Sequence, residues 1–250
     1  MDATLTQKVV LVTGASSGIG RAVCRELAHQ GASVILLARN EQGMRETMSA
    51  MPEDQCLPLA ADLHDLASLP AVLEEARNWR GHIDGCVYCA GVGGRARLRD
   101  TDPAFMAECM LVNCFAFVEL IRLLVKRKER ARPLRVAAVS SFAALGRDKY
   151  FVAYAASKAA LEAAAKTLAV ELLPRNVTVN LIRPAFVNTP MISGAADPLG
   201  DFAARLEESG YQPMGLIEPE EVACMAAYLM GPGAAHISGS TFSINAGAAC

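Results

Sequence analysis

Strand-length apolar runs alternate with helix-length amphipathic segments along the whole of this chain, and that alternation admits few folds. "VVLVT" (9–13) precedes a helical segment from about Gly18. "SVILLA" and "CLPLAA" follow, with helices near 41–51 and 66–79. "IDGCVYCA" leads into a long helical stretch from about 103 to 128, then "LRVAAVS" and an alanine-rich helix within "YFVAYAASKAALEAAAKTLAVELL" (150–173). "VTVNLIRP", a loop-and-helix region to about 212, a helix near 218–230 and "STFSIN" complete the series. Continuous Val/Ile/Leu strands separated by helices predict a parallel sheet covered on both faces. Right-handed crossovers then wind it into an α/β doubly wound open sheet. No repeat, low-complexity tract or linker divides the chain, so residues 1–250 are expected to form one domain.

Hydrophobic residues make up 52% of the chain and charged residues 20%, enough to build a large core. A net charge of −2 gives little attraction to nucleic acid or to an anionic membrane. The chain opens without a basic start and apolar block, and the apolar run Cys109–Val118, bounded by Glu108 and Glu119, is short for a bilayer span. A soluble, cytoplasmic protein is expected. The eight cysteines lack a small-scaffold disulfide spacing, and the four histidines form no metal-ligand pattern, so no metal is expected. Cys86 and Cys89 form one C-x-x-C, but strand positions three apart point to opposite faces. Buried free thiols are the expectation there, and a redox dithiol would require the strand assignment to be wrong.

Two stretches carry chemistry. After the first strand, "TGASSGIG" places Gly14, Gly18 and Gly20 in a strand-to-helix turn, where backbone N–H groups and the positive helix end can meet a phosphate. A tight turn that binds nothing has the same residues, and the spacing departs from G-x-G-x-x-G. In the alanine-rich helix, Tyr154 and Lys158 stand one turn apart on one face. An ammonium beside a phenol is expected to lower its pKa from about 10 toward a range useful for proton transfer. Ser141, thirteen residues before Tyr154, ends a strand where open α/β sheets build their ligand crevice.

With these residues the chain resembles the short-chain dehydrogenase/reductases over essentially its full length. The resemblance implies a Rossmann-type sheet and an oxidoreductase that moves hydride between a nicotinamide and a carbonyl or secondary alcohol. It assigns catalysis to Asn113, Ser141, Tyr154 and Lys158, with Ser141 and Tyr154 also contacting substrate. Asn113, in "LVNCFAF", stands where the family holds a proton-relay water. The cofactor contacts it implies are Gly14, Ser16, Ser17, Gly18, Ile19 and Gly20 at the pyrophosphate, and Asp62 and Leu63 at the adenine. Ala90, Gly91, Tyr154, Lys158, Pro184, Val187 and Thr189 are implied toward the nicotinamide. Three positions depart from the family pattern: "YCAG" puts Cys89 at the second asparagine of N-N-A-G, Ala185 replaces the glycine of a P-G pair, and "NAG" replaces "DGG" or "NGG" near the C-terminus.

About twenty residues past the glycine loop, where an acid would hold the ribose of NAD, stand Ala38 and Arg39. A guanidinium suits a 2′-phosphate, which favours NADP(H) over NAD(H). Glu41 could serve a ribose only with a shifted register. Residues 188–213 are expected to form a substrate lid, with Met191, Ile192, Phe202, Phe142 and Tyr150 as candidate apolar walls. Within the family the chain resembles the 3-oxoacyl-acyl-carrier-protein reductases, which implies a carrier-binding role for Arg175 and a second basic region at Lys126, Arg127 and Lys128. Such residues also simply favour a helix C-terminus. An NAD-dependent alcohol dehydrogenase and a silent nicotinamide-binding regulator are the alternatives. Family members pair through the alanine-rich helix and the helix before it, which implies a homodimer or homotetramer.

Overall fold

In a computed structural model, residues 5–126, 132–146, 148–193, 206 and 208–248 are described. Among them, seven strands form a single sheet: β1 (Val9–Thr13), β2 (Ser33–Ala38), β3 (Cys56–Ala60), β4 (Gly85–Tyr88), β5 (Leu134–Val139), β6 (Val177–Pro184) and β7 (Thr241–Ile244). All pairings are parallel, in the order β3-β2-β1-β4-β5-β6-β7. The order reverses between β1 and β4, so the connections leaving these two neighbours diverge and open a crevice beyond their carboxyl ends.

Alternation along the strands divides the core in two. Val9, Leu11, Cys86 and Tyr88 face one layer, and Val10, Val12 and Val87 the other. The first layer comprises α3 (Leu69–Arg80), α4 (Pro103–Met110), α5 (Ala116–Leu124) and α6 (Val152–Leu172), which supply Leu73, Phe117, Leu120 and Leu161. α1 (Gly18–His29), α2 (Glu41–Met48) and α8 (Pro219–Met230) form the second through Leu27, Met44 and Val222. Each such fully buried side chain contributes about 1.5–3 kcal/mol. α7 (Pro190–Ser193) is a single turn. Cys86 and Cys89 pack on opposite layers and both are free thiols.

Two boundaries differ from the sequence expectation. α3 begins at Leu69 rather than near 66, because Pro70 occupies its first turn, and it ends at Gly81, whose left-handed backbone (φ 78°) returns its N–H to Arg77 O at 2.7 Å. The long fourth helix contains a π segment, Leu111–Phe115, between α4 and α5. The whole stretch Pro103–Leu124 is long and apolar enough to cross a bilayer by length and composition, which the shorter run Cys109–Val118 had not suggested. It packs as a layer helix: Phe117, Leu120 and Ile121 are fully buried on the sheet, while Phe115 and Val118 face outward.

Candidate active site

A cavity of about 940 Å³ lies at the carboxyl ends of the strands. Every residue assigned above to cofactor or catalysis lines it except Asn113, which is fully buried. At one end is the turn between β1 and α1. A Cβ on Gly20 would stand 2.2 Å from Gly14 O, so the turn closes only with glycine there. Both flanking helices brace it: Thr47 Oγ1 of α2 donates to Ala15 O at 2.8 Å, and Arg21 Nη2 of α1 donates to Ser16 O at 2.7 Å. Helix α1 presents its unpaired first-turn N–H groups at this turn, and no carboxylate from the loop itself opposes an anion. The donor set fits a pyrophosphate.

Beyond β2 and β3, Arg39 Nη1 lies 3.9 Å from Asp62 Oδ2. Asp62 accepts from His64 N at 3.0 Å and from His64 Nδ1 at 2.8 Å, and these bonds hold its carboxyl below the usual range. Leu63 and Ala38 give this end an apolar floor.

At the far end stand Ser141, Tyr154 and Lys158. The Ser141 hydroxyl stands near enough to the Tyr154 phenol to favour its ionised form, and Lys158 Nζ sits 5.7 Å from the Tyr154 ring centre while donating to Val139 O at 2.8 Å. The direction of the tyrosine shift is opposite to the one expected from the lysine alone. Burial raises the Tyr154 pKa, against the lowering effect of Ser141. Burial also lowers Lys158 to about 8. Spacing had placed a cation beside a phenol but carried no information on how deeply both are removed from water, and desolvation dominates.

Asn113 supports this end from behind. Its Oδ1 accepts from Val92 N, and its Nδ2 donates to Val92 O and to Ser157 Oγ, all at 2.8 Å. Ser157 Oγ in turn donates to Tyr154 O at 2.8 Å, tying the π segment to the turn of α6 that carries the tyrosine.

The family model described as "Enoyl-(Acyl carrier protein) reductase" matches residues 14–249. The 3-oxoacyl-[acyl-carrier-protein] reductase of Vibrio cholerae is 31% identical over 97% of this chain and 98% of its own length. The chain belongs to the short-chain dehydrogenase/reductase family. Among solved structures, the 3-ketoacyl-(acyl-carrier-protein) reductase of Brucella melitensis complexed with NADH superimposes with a TM-score of 0.88 at 26% identity, covering 97% of this chain and 98% of that one. A variant of actinorhodin polyketide ketoreductase with NADPH gives 0.85 at 26% identity, covering 96% of each chain.

Two of the three departures from the short-chain dehydrogenase/reductase pattern have local compensations. Where N-N-A-G would stand, Thr13 Oγ1 accepts from both Cys89 N and Ala90 N at 3.1 Å, so a threonine hydroxyl fastens β4 to β1. Tyr88, in the place of the first asparagine, is buried and donates to Val112 O in the π segment at 2.5 Å. The Cys89 thiol lines the cavity and is pushed up to about 12 by burial, so it stays neutral. Ala185 N donates to Ile244 O at 2.9 Å, keeping the backbone after β6 in place. At the C-terminal departure Ala246 takes a left-handed conformation (φ 46°), which glycine would adopt without strain.

Three further groups were not legible in the motifs. Gly93 runs against Tyr154: a Cβ there would stand 2.6 Å from Tyr154 Cδ2. Gln212, fully buried, clamps the segment after β6 by accepting from Phe186 N at 3.0 Å and donating to Phe186 O at 2.9 Å. Glu162 on α6 accepts from Ser140 Oγ and from Arg183 Nε, both at 2.8 Å, so one buried carboxylate joins the middle of α6 to the ends of β5 and β6. Burial alone would raise its pKa, but the Arg183 and Ser140 bonds win and hold it below the ordinary value.

Proposed function

We propose that this oxidoreductase uses NADP(H) to reduce the ketone of a 3-oxoacyl thioester. The observation that carries this is the single cavity joining Arg39 and the glycine turn at one end to the neighbouring hydroxyls of Ser141 and Tyr154 at the other. Its similarity to the carrier-protein reductases supports the substrate class.

The nicotinamide, when bound, supplies hydride to the carbonyl carbon. Ser141 and Tyr154 hold the carbonyl oxygen by hydrogen bonds, and Tyr154 gives its hydroxyl proton to that oxygen as negative charge develops there. A phenol kept protonated by burial suits the reductive direction. Lys158 stabilises the phenolate left behind and holds the cofactor ribose. Asn113, whose amide bonds to Val92 and Ser157, is the residue that would link Lys158 to solvent through a water in the proton relay.

Arg39 selects the cofactor. Arg39→Asp is expected to weaken NADPH binding about tenfold or more while NADH binding changes far less, measured by fluorescence titration; equal losses for both would remove this assignment. The substrate assignment is tested by following NADPH oxidation against an acetoacetyl thioester, a β-keto ester and an aromatic aldehyde. Preferential thioester reduction supports it, and turnover of the other carbonyls alone contradicts it.

Phe142, Tyr150, Met191 and Ile192 line the substrate end and form an apolar wall. Of the proposed 188–213 lid, Phe202 and most of the centre lie outside the described residues, as do Arg127 and Lys128 of the carrier-docking region. Arg175 donates to Val125 O at the end of α5. That contact brings it beside exposed Lys126, and the two form the described part of a basic face for an acidic carrier. Phe115, Val118, Val152 and Val170 are exposed apolar residues on the Pro103–Leu124 stretch and α6, and cover by a second copy makes the protein a homodimer or homotetramer. Light scattering at working concentration is expected to report an oligomer; a monomer would refute this.

A further inference from the structure

The wall of the cavity around Tyr150 is built in an uncommon way. Tyr150 has a left-handed backbone (φ 73°), a conformation that a bulky non-glycine residue adopts only when its surroundings enforce it. Its carbonyl accepts from Ala96 N at 2.8 Å, and the Arg95 guanidinium lies over its ring, 5.6 Å from the centre. Arg97, next but one along the loop and extended (φ −66°, ψ 153°), lines the same cavity. Among the described residues, neither arginine has a carboxylate partner within ion-pair distance. The carboxylate that the described residues place on this wall, Asp148, accepts from Tyr211 Oη at 2.5 Å. Among the described residues, the substrate mouth therefore holds these two guanidinium groups against a single carboxylate that is already bonded.

We propose that Arg95 and Arg97 form an anion subsite at this mouth, which binds a phosphate or carboxylate that the carbonyl substrate carries away from its reacting carbon. The inference rests on the proposed function only for which end of the cavity receives the substrate. A guanidinium stacked on an aromatic ring is partly ordered before binding, and its planar donors match the oxygens of either anion. Both arginines are solvent-exposed, so the attraction is modest at each and weakens with salt. An arginine serving solubility alone has no reason to be held by a strained tyrosine against a ligand cavity.

The test compares substrates that differ by one charged group. Acetoacetyl-pantetheine and acetoacetyl-4′-phosphopantetheine differ by a phosphate; a diester of a 3-oxo dicarboxylic acid and its ω-monoester differ by a carboxylate. At low ionic strength, kcat/KM with NADPH is expected to be about tenfold higher for the charged member of one pair, falling toward equality in the R95Q/R97Q double variant and in high salt. The ratio is taken within one protein, so partial loss of folded enzyme cancels from it. The pair that shows the preference identifies the anion. Equal values within both pairs, or a preference that survives the double substitution, overturn the subsite. If no ketone is reduced, the proposed function fails instead, and calorimetric titration of the NADPH-loaded protein with 4′-phosphopantetheine and with glutarate replaces the kinetics. Binding of either that is lost in R95Q/R97Q supports the subsite; no binding of either, or binding unchanged in the variant, overturns it.

Discussion

Tyr154→Phe is expected to bind NADPH as the unaltered protein does and to reduce carbonyls about a thousandfold more slowly. The substitution keeps the ring that packs near Phe151, with centres 6.1 Å apart, and that fills the space left by Gly93. It removes only the hydroxyl that neighbours Ser141. The fold and the cofactor end of the cavity are therefore retained, and the loss falls on the step in which the developing alkoxide takes its proton. Single-turnover kinetics together with a cofactor titration separate the two effects. A variant whose turnover lies within tenfold of the parent would show that another group supplies the proton.

Gly93→Ala is expected to produce the second largest loss, about a hundredfold in kcat, through Tyr154 and not through the cofactor. The Gly93 backbone has φ 137°, outside the range that side chains tolerate, and its Cβ would meet Tyr154 Cδ2 at 2.6 Å and Tyr154 Cβ and Cγ at 3.2 Å. Either the loop or the tyrosine must shift, and a displacement of about 1 Å at a reacting group is enough for such a loss. Stability falls as well, by about 1–3 kcal/mol, because the backbone conformation is strained for alanine. Gly94→Ala is the internal control: a Cβ at Gly94 meets nothing within 4 Å, so its effect should be much smaller. Comparable loss in both variants would mean that the loop as a whole is intolerant and that the approach to Tyr154 has no special part.

The centre of the sheet was readable from sequence because β1, β2, β4, β5 and β6 are buried on both faces over most of their length, which leaves continuous apolar runs. That Ser141, Tyr154 and Lys158 meet in one cavity was readable because it depends on local spacing and on the end of a strand. The groups that hold them were not. Gly93, Thr13 and Tyr88 matter through contacts with segments tens of residues away, such as Thr13 with Cys89 and Ala90, and a single chain read in order gives no sign of those meetings. The carboxylate of Glu162 looked like one more polar residue of an alanine-rich helix until the fold set Arg183 and Ser140 against it. The sign of the Tyr154 shift failed for the same reason: sequence shows which charges are neighbours, but burial depends on everything packed around them. The π segment at Leu111–Phe115 likewise leaves no mark on helical periodicity that would separate it from an ordinary turn.

The most direct test of the account is to supply NADPH carrying deuterium at the transferable position of the nicotinamide, together with an acetoacetyl thioester, and to analyse the product by mass spectrometry. The predicted product is a 3-hydroxyacyl thioester with one deuterium on the former carbonyl carbon, formed by the native protein and all but absent with Tyr154→Phe. An unlabelled alcohol, or no consumption of NADPH with any carbonyl, would contradict hydride transfer in this cavity.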